Sequence, residues 1–241
     1  MQAAAGAGPM MARGWRRGWL FLGLVCSALA SVQAADRASL QRGERMFMAD
    51  CAACHSLKYL RYSRLQQDLD LSPEEVRRDL QRFGAKAEGP VISPMTPRIA
   101  GYAFGKLPPD LSLETAVRGP GWVRRYLGGF YLDPSAPQGW NNAVLQNAAM
   151  PDPFWRLQGI RANDGHGRPG GLLVPGQVAP RAFAGQLDDL VAFLSYAATP
   201  DVIQRRVLGP WVLAFLALFT ALAWALKRVV WKDVKGSRGA T

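Results

Sequence analysis

The sequence predicts a mostly α-helical domain with long ordered loops, followed by one C-terminal transmembrane helix. Three observations predict it. Apolar residues recur at helical spacing from Leu40 to Cys51 and from Leu187 to Ala198. Between those stripes, residues 84–110 and 131–180 are rich in Gly and Pro with little periodicity, as loops wrapped on a core are. Finally, Val207 to Leu226 runs 20 residues without a charge, long enough to cross a ~30 Å hydrocarbon core.

Taken in order, residues 1–34 read as a cleaved signal peptide. Arg13, Arg16 and Arg17 form its charged region and Trp19 to Val25 its apolar region. Ala28-Leu29-Ala30 and Val32-Gln33-Ala34 are candidate cleavage sites; cleavage after Ala34 leaves the fuller apolar region. Gly23-Leu24-Val25 is a poor lipidation box ahead of Cys26, so that cysteine is expected to leave with the signal. The exported domain is then 35–206. Leu40, Gly43, Phe47 and Cys51 share one face of its first helix, where Gly43 permits close approach by another element. Leu187, Leu190, Val191, Leu194 and Ala198 supply the expected partner face, stopped by Pro200. Ser72-Pro73-Glu74-Glu75 combines an N-cap, a proline at the first helical position and a capping-box glutamate, for a helix running to Phe83 before Gly84. A further short helix follows Asp110-Leu111-Ser112 and is broken at Gly119-Pro120.

The anchor is expected at 207–226, with Gly209 and Pro210 in its first turn, where a missing N–H costs little. Trp211, Trp224 and Trp231 lie near its ends, as interfacial aromatics do. Lys227, Arg228, Lys232, Lys235 and Arg238 outnumber Arg205 and Arg206, which places the tail, 227–241, in the cytoplasm and the domain outside it. Net charge is +11 for the 241 residues. No nucleic-acid motif accompanies it, so nucleic acid is not an expected partner and the membrane is.

Cys51-Ala52-Ala53-Cys54-His55 is the stretch around which the chemistry is organised. Two thiols three residues apart can each form a thioether with one vinyl group of a haem, and the adjacent imidazole can reach the iron. A structural zinc site needs four ligands, and outside the motif only Cys26 and His166 remain. A redox dithiol would follow a strand in a βαβ unit, which the preceding sequence does not supply. One covalently bound haem c is the expected cofactor, on Cys51, Cys54 and His55. Its iron stays open or takes a second axial residue. Met46 and Met48 precede the motif on its own helix, Met95 lies between prolines, and His166 lies in a Gly-flanked turn. Met150 is followed by Pro151, which stiffens the chain. A lone methionine is as readily core packing as ligand, and spacing leaves the choice open.

The chain resembles the cytochrome c1 family, the haem subunits of quinol–cytochrome c reductase (bc1) complexes. The resemblance is carried by Arg42-Gly43, Cys51 to Leu57, Tyr62 and Leu65, then Leu107-Pro108-Pro109-Asp110-Leu111-Ser112 and Arg118. It continues through Tyr126 to Phe130 with Asp133-Pro134, Ala149-Met150-Pro151 with Pro153, Asp164-Gly165, Phe193-Leu194 with Ala197 to Pro200, and the tail with Trp231 and Lys235. It implies a class I c-type cytochrome domain, with His55 and Met150 as axial ligands and Arg118 facing a haem propionate. It also implies cytochrome b and Rieske iron–sulfur subunits as partners, a c-type cytochrome as electron acceptor, and a bacterial inner-membrane location with a periplasmic haem domain.

The chain departs from the family pattern at Ile99 to Gly105, near Val144 to Asn147, and at Tyr196, where a tryptophan is expected. The resemblance also implies acidic patches for a basic cytochrome. Here Asp68, Asp70, Glu74, Glu75 and Asp79 form a local acidic cluster within a basic chain. No paired catalytic carboxylates, nucleophile–base pair or phosphate loop argue for bond-making chemistry. The expected role is electron relay within an oxidoreductase complex. Another membrane-anchored cytochrome c, whether oxidase subunit or shuttle, and a haem gas sensor are the rival readings.

Overall fold

The computed structural model describes residues 36–136 and 138–237. The predicted signal peptide and residues 238–241 of the tail lie outside them. The chain divides into two compact units, one ending at Ala198 and one beginning at Thr199.

In the first unit, helix α1 (residues 36–50) runs straight into the haem motif. It packs against α8 (Pro180–Ala198), the long helix at the other end of the unit. Gly43 makes this crossing possible. A Cβ there would press into the backbone carbonyl of Asp189 and stand 2.7 Å from Phe193 Cβ. One turn on, the Phe47 and Phe193 rings meet at 5.7 Å between centroids. Asp189 closes the seam, accepting from Arg42 Nε at 2.6 Å and from Ser39 Oγ at 2.5 Å. The predicted apolar faces are therefore real partners: Phe47, Leu187, Leu190, Val191 and Leu194 are all buried in one core.

Strand β1 (Leu57–Arg61) leads from the motif into α2 (Tyr62–Leu69) and α3 (Pro73–Phe83). α3 begins and ends as its sequence dictates. Ser72 Oγ accepts from Glu75 N, the Glu75 carboxylate accepts from Ser72 N at 3.0 Å, and Gly84 closes the helix at φ 61°. β1 pairs antiparallel with β2 (Pro90–Val91). The helix expected after Ser112 is α5 (Glu114–Arg118), and Gly119, at φ 82°, turns the chain into α6 (Pro120–Leu127).

The stretches expected to be loops hold more order than that. They contain α4 (Pro97–Phe104), hairpin β3 (Phe130–Leu132) with β4 (Trp140–Asn142), α7 (Trp155–Gln158), and hairpin β5 (Gly159–Asn163) with β6 (Pro169–Pro175). The physical reason they escaped notice differs by element. α4 is eight residues long, and only Thr96-Pro97 announces it, as cap and first residue. The β5–β6 register shifts twice, so no two-residue alternation survives in its sequence.

The second unit holds α9 (Val202–Ser237), whose apolar span, Gln204–Trp231, is long enough to cross a membrane and has no side-chain burial within the structure. It corrects one expectation. The helix starts at Val202, so Pro210 sits inside it and not in its first turn. There a proline removes one rung of the i→i−4 ladder.

Candidate haem cleft

The haem motif is a helical exit turn. Cys51 N and Ala52 N both bond to Phe47 O, and His55 N donates to Cys51 O at 2.8 Å. This curl brings Cys51, Cys54 and His55 to one wall of a cleft of about 400 Å³, within the usual volume range of cofactor sites. Burial pushes the Cys51 thiol up to about 12 and raises that of Cys54 as well. Neither is in a disulfide. Reactive dithiols sit where the thiol pKa is lowered, and burial works against that here. Among the described residues, no three His, Cys, Asp or Glu side chains gather as a metal site would need.

His55 is oriented by a loop whose role the sequence did not reveal. Its Nδ1 lies 2.8 Å from Pro109 O. A carbonyl only accepts, so Nδ1 carries the proton and Nε2 keeps its lone pair. Burial lowers the His55 pKa, with the Pro109 bond opposing it, which keeps the ring neutral as a metal ligand must be. The double-proline stretch is itself clamped to the motif's far side. Leu111 N donates to Ser56 O at 2.9 Å, Lys58 N to Asp110 Oδ2 at 2.9 Å, and Tyr59 N to Ser112 Oγ at 3.2 Å. Pro109 O thus has a fixed address.

Met150 lines the same cleft with Ala148, Ala149 and Pro151. Tyr126 Oη donates to the Met150 sulfur at 3.6 Å, and the Tyr126 ring stacks on Trp122 at 5.2 Å and meets Phe130 edge-on at 5.3 Å. The methionine loop is pinned from both sides. Asn141 Oδ1 accepts from Asn147 N at 2.8 Å, and Asn142 Oδ1 accepts from Val144 N at 2.8 Å. Beyond the methionine, the buried Asp152 accepts from Phe154 N and Gln158 Nε2. The sequence stretch from 144 to 147 that departs from the family pattern is therefore held by the β4 asparagines. Tyr126 and Asn141/Asn142 were missed as site residues; aromatics at 122, 126 and 130, a helical turn apart, are the one signal that could have flagged Tyr126.

Arg118 lies at the cleft wall, half-exposed, with its guanidinium 4.3 Å from the Trp122 ring and Nε 2.5 Å from Glu114 Oε1. The other ligand candidates stand elsewhere. Met48 is buried on α1, Met46 packs on the core, Met95 is half-buried in a loop outside the cleft lining, and His166 is exposed in the β5–β6 turn. The acidic cluster is not one patch. Asp68 serves Arg64 and Tyr196, Glu75 the α3 cap, and Asp79 is buried. Tyr196 uses its hydroxyl for that bond to Asp68, at 2.9 Å, where a tryptophan would have offered a ring N–H.

The residues fit a covalently held haem: two unpaired thiols a turn apart, an imidazole with Nε2 free, and a thioether held within the same apolar cleft. The chain matches the Cytochrome C1 family over residues 27–96 and 85–234. It is 38% identical over 215 residues to cytochrome c1 of Allochromatium vinosum, an alignment that covers 85% of this chain and 88% of that one. It is 35% identical to the ammonia monooxygenase gamma subunit of Nitrosomonas europaea, with 85% and 87% covered, and 31% identical to cytochrome c1 of Rhodospirillum rubrum, with 83% of each covered.

Proposed function

Because the chain belongs to the cytochrome c1 family, we propose that it relays single electrons from a Rieske iron–sulfur subunit to a c-type cytochrome. Family membership makes it an electron-transport haem subunit of a bc1 complex carrying one covalent haem c, with a C-terminal apolar helix suited to a single-pass anchor. The observation that supports the finer reading is that His55 and Met150 line one cleft, each held by a hydrogen bond. The haem supplies one-electron chemistry. In this reading Cys51 and Cys54 attach it, His55 and Met150 ligate the iron and Arg118 meets a propionate. Closed histidine–methionine ligation suits electron transfer and raises the potential. It disfavours a gas sensor, which needs an open iron.

The arginines at 13, 16 and 17, the apolar stretch Trp19 to Val25 and the small residues up to Ala34 support a cleaved signal, so we assign residues 1–34 to the signal and the haem domain to the periplasm. The basic excess after the apolar span assigns the C-terminus to the cytoplasm. Cytochrome b and the iron–sulfur protein are the partners this reading requires. One relative, from Bradyrhizobium diazoefficiens, is named cytochrome b/c1, and this chain spans about a third of its length.

The test is the complex purified from native membrane and mixed rapidly with quinol. Haem reduction should be fast in the whole complex and lost when the iron–sulfur subunit is removed. Equally fast reduction without that subunit refutes the relay. Co-purification with ammonia-oxidising subunits, in place of a cytochrome b, would replace it with the role named for the Nitrosomonas relative.

A further inference from the structure

Behind the haem motif, on the side of α1 that faces α2 and α3, lies a cluster of buried polar groups that electron transfer does not use. Glu44 on α1 is 2% exposed, Asp79 on α3 is 5% exposed, and Tyr62 at the start of α2 is 2% exposed. Glu44 and Asp79 lie close enough to act on each other's charge, and Tyr62 lies within electrostatic reach of both. The Glu44 Oε1 and Tyr62 Oη atoms are buried without a hydrogen-bond partner. Two neighbouring carboxyl groups buried away from water are stable together only if one of them keeps a proton.

The surrounding charges decide which one keeps it. Asp79 faces the guanidiniums of Arg78, at 3.8 Å, and Arg82, both on α3. Among the described residues, the cation acting on Glu44 is its neighbour Arg45, which is engaged by Glu75 of α3 at 3.5 Å, and the Glu75 charge adds to the push against a second anion. Charge therefore stays on Asp79 and the proton on Glu44. We propose that Glu44 and Asp79 form a proton-binding site, with Glu44 as a neutral acid donating to the Asp79 carboxylate across the α1–α3 seam. Release of the proton to solvent leaves two carboxylates face to face and loosens that seam.

The seam matters because of where α1 leads. Glu44, Met48 and Cys51 follow at i, i+4 and i+7 and so share one face of the helix. Arg82 also bonds to Ala49 O at the helix end. The proton therefore helps hold the support of the haem-attachment turn. Burial, with the Asp79 charge added, pushes the Glu44 pKa up from 4.5 to about 8. A carboxyl raised on folding contributes stability that is fully present below its unfolded value of 4.5 and lost as pH rises through about 8. One such proton makes the folding equilibrium constant about tenfold larger at about pH 7 than at about pH 9. That window lies above the titration of Asp152, which burial holds at about 6.

The inference is independent of the electron-relay reading, and its test uses the haem-loaded full chain in detergent. Isotope-edited infrared spectra should show a protonated-carboxyl carbonyl band near neutral pH that fades toward about pH 9 and is absent in Glu44→Gln. Urea unfolding should show the tenfold change in wild type and a flat response in Glu44→Gln, whose amide still donates to Asp79. The exposed Glu74→Gln variant should behave as wild type. Should Glu44→Gln fail to fold, Asp79→Asn removes the facing charge and must move the band's titration to lower pH. A wild type without the band at neutral pH, a band surviving in Glu44→Gln, or a titration unmoved in Asp79→Asn overturns the proposal.

Discussion

Gly43→Ala tests the crossing on which the haem turn is built. In an ordinary helix interior the substitution stabilises by ~1 kcal/mol, because glycine has the greater freedom to lose. At Gly43 the added Cβ presses on the Asp189 carbonyl and stands 2.7 Å from both the Asp189 carbonyl carbon and Phe193 Cβ. These are backbone and Cβ atoms, which no rotamer change can move aside. The helices must separate, at the expense of the Phe47–Phe193 contact and the Arg42–Asp189 bond. Overpacking costs ~1–3 kcal/mol, with rigid neighbours at the upper end. Offset by the propensity gain, the net loss is ~2 kcal/mol, or a fall of ~4–8 °C in Tm for a chain of this size. Urea and thermal unfolding of the haem-loaded chain, followed by tryptophan fluorescence, would measure it. Gly185→Ala is the control. Gly185 sits on the same α8, exposed, with nothing within 4 Å of a built Cβ, and should gain up to ~1 kcal/mol. If Gly43→Ala is as stable as wild type or more so, the close α1–α8 crossing is wrong.

Three further outcomes follow from the same structure. Met150→Leu should lower the haem potential, abolish the weak sulfur-to-iron absorption band of the oxidised protein and admit carbon monoxide, with under ~1.5 kcal/mol of packing loss; Met95→Leu, outside the cleft, should change none of these, and the reverse pattern sinks the ligand assignment. Ser72→Ala removes the reciprocal cap of α3 and should cost ~1 kcal/mol in urea unfolding, while leaving the haem spectrum alone. Ending the chain after Arg206 removes the apolar span and should deliver haem-stained protein to the soluble fraction; retention in washed membranes without partner subunits would require a second anchor.

The sequence by itself determined the parts that are local or periodic. Ser72-Pro73-Glu74-Glu75 encodes its own helix start, because cap and capping-box glutamate are three residues apart. Cys51 to His55 encodes a turn that presents two thiols and an imidazole together, because all three fall on one turn of backbone. Gly43 and the Leu187 to Ala198 stripe announced a close helix pair, and 20 uncharged residues announced a helix long and apolar enough to cross a membrane. What only tertiary structure decided involves partners far apart in the chain or interrupted periodicity. Nothing local to Pro109 says that its carbonyl will orient a histidine 54 residues earlier, and nothing near Tyr126 says that its hydroxyl will meet Met150. The register shifts of β5–β6 erase the alternation by which a strand is read. Glu44 looks like a solvent-facing helix residue until α3 covers it. Burial and the charge of a neighbour decide whether that carboxyl is ionised, and both are properties of the assembled core and not of the chain.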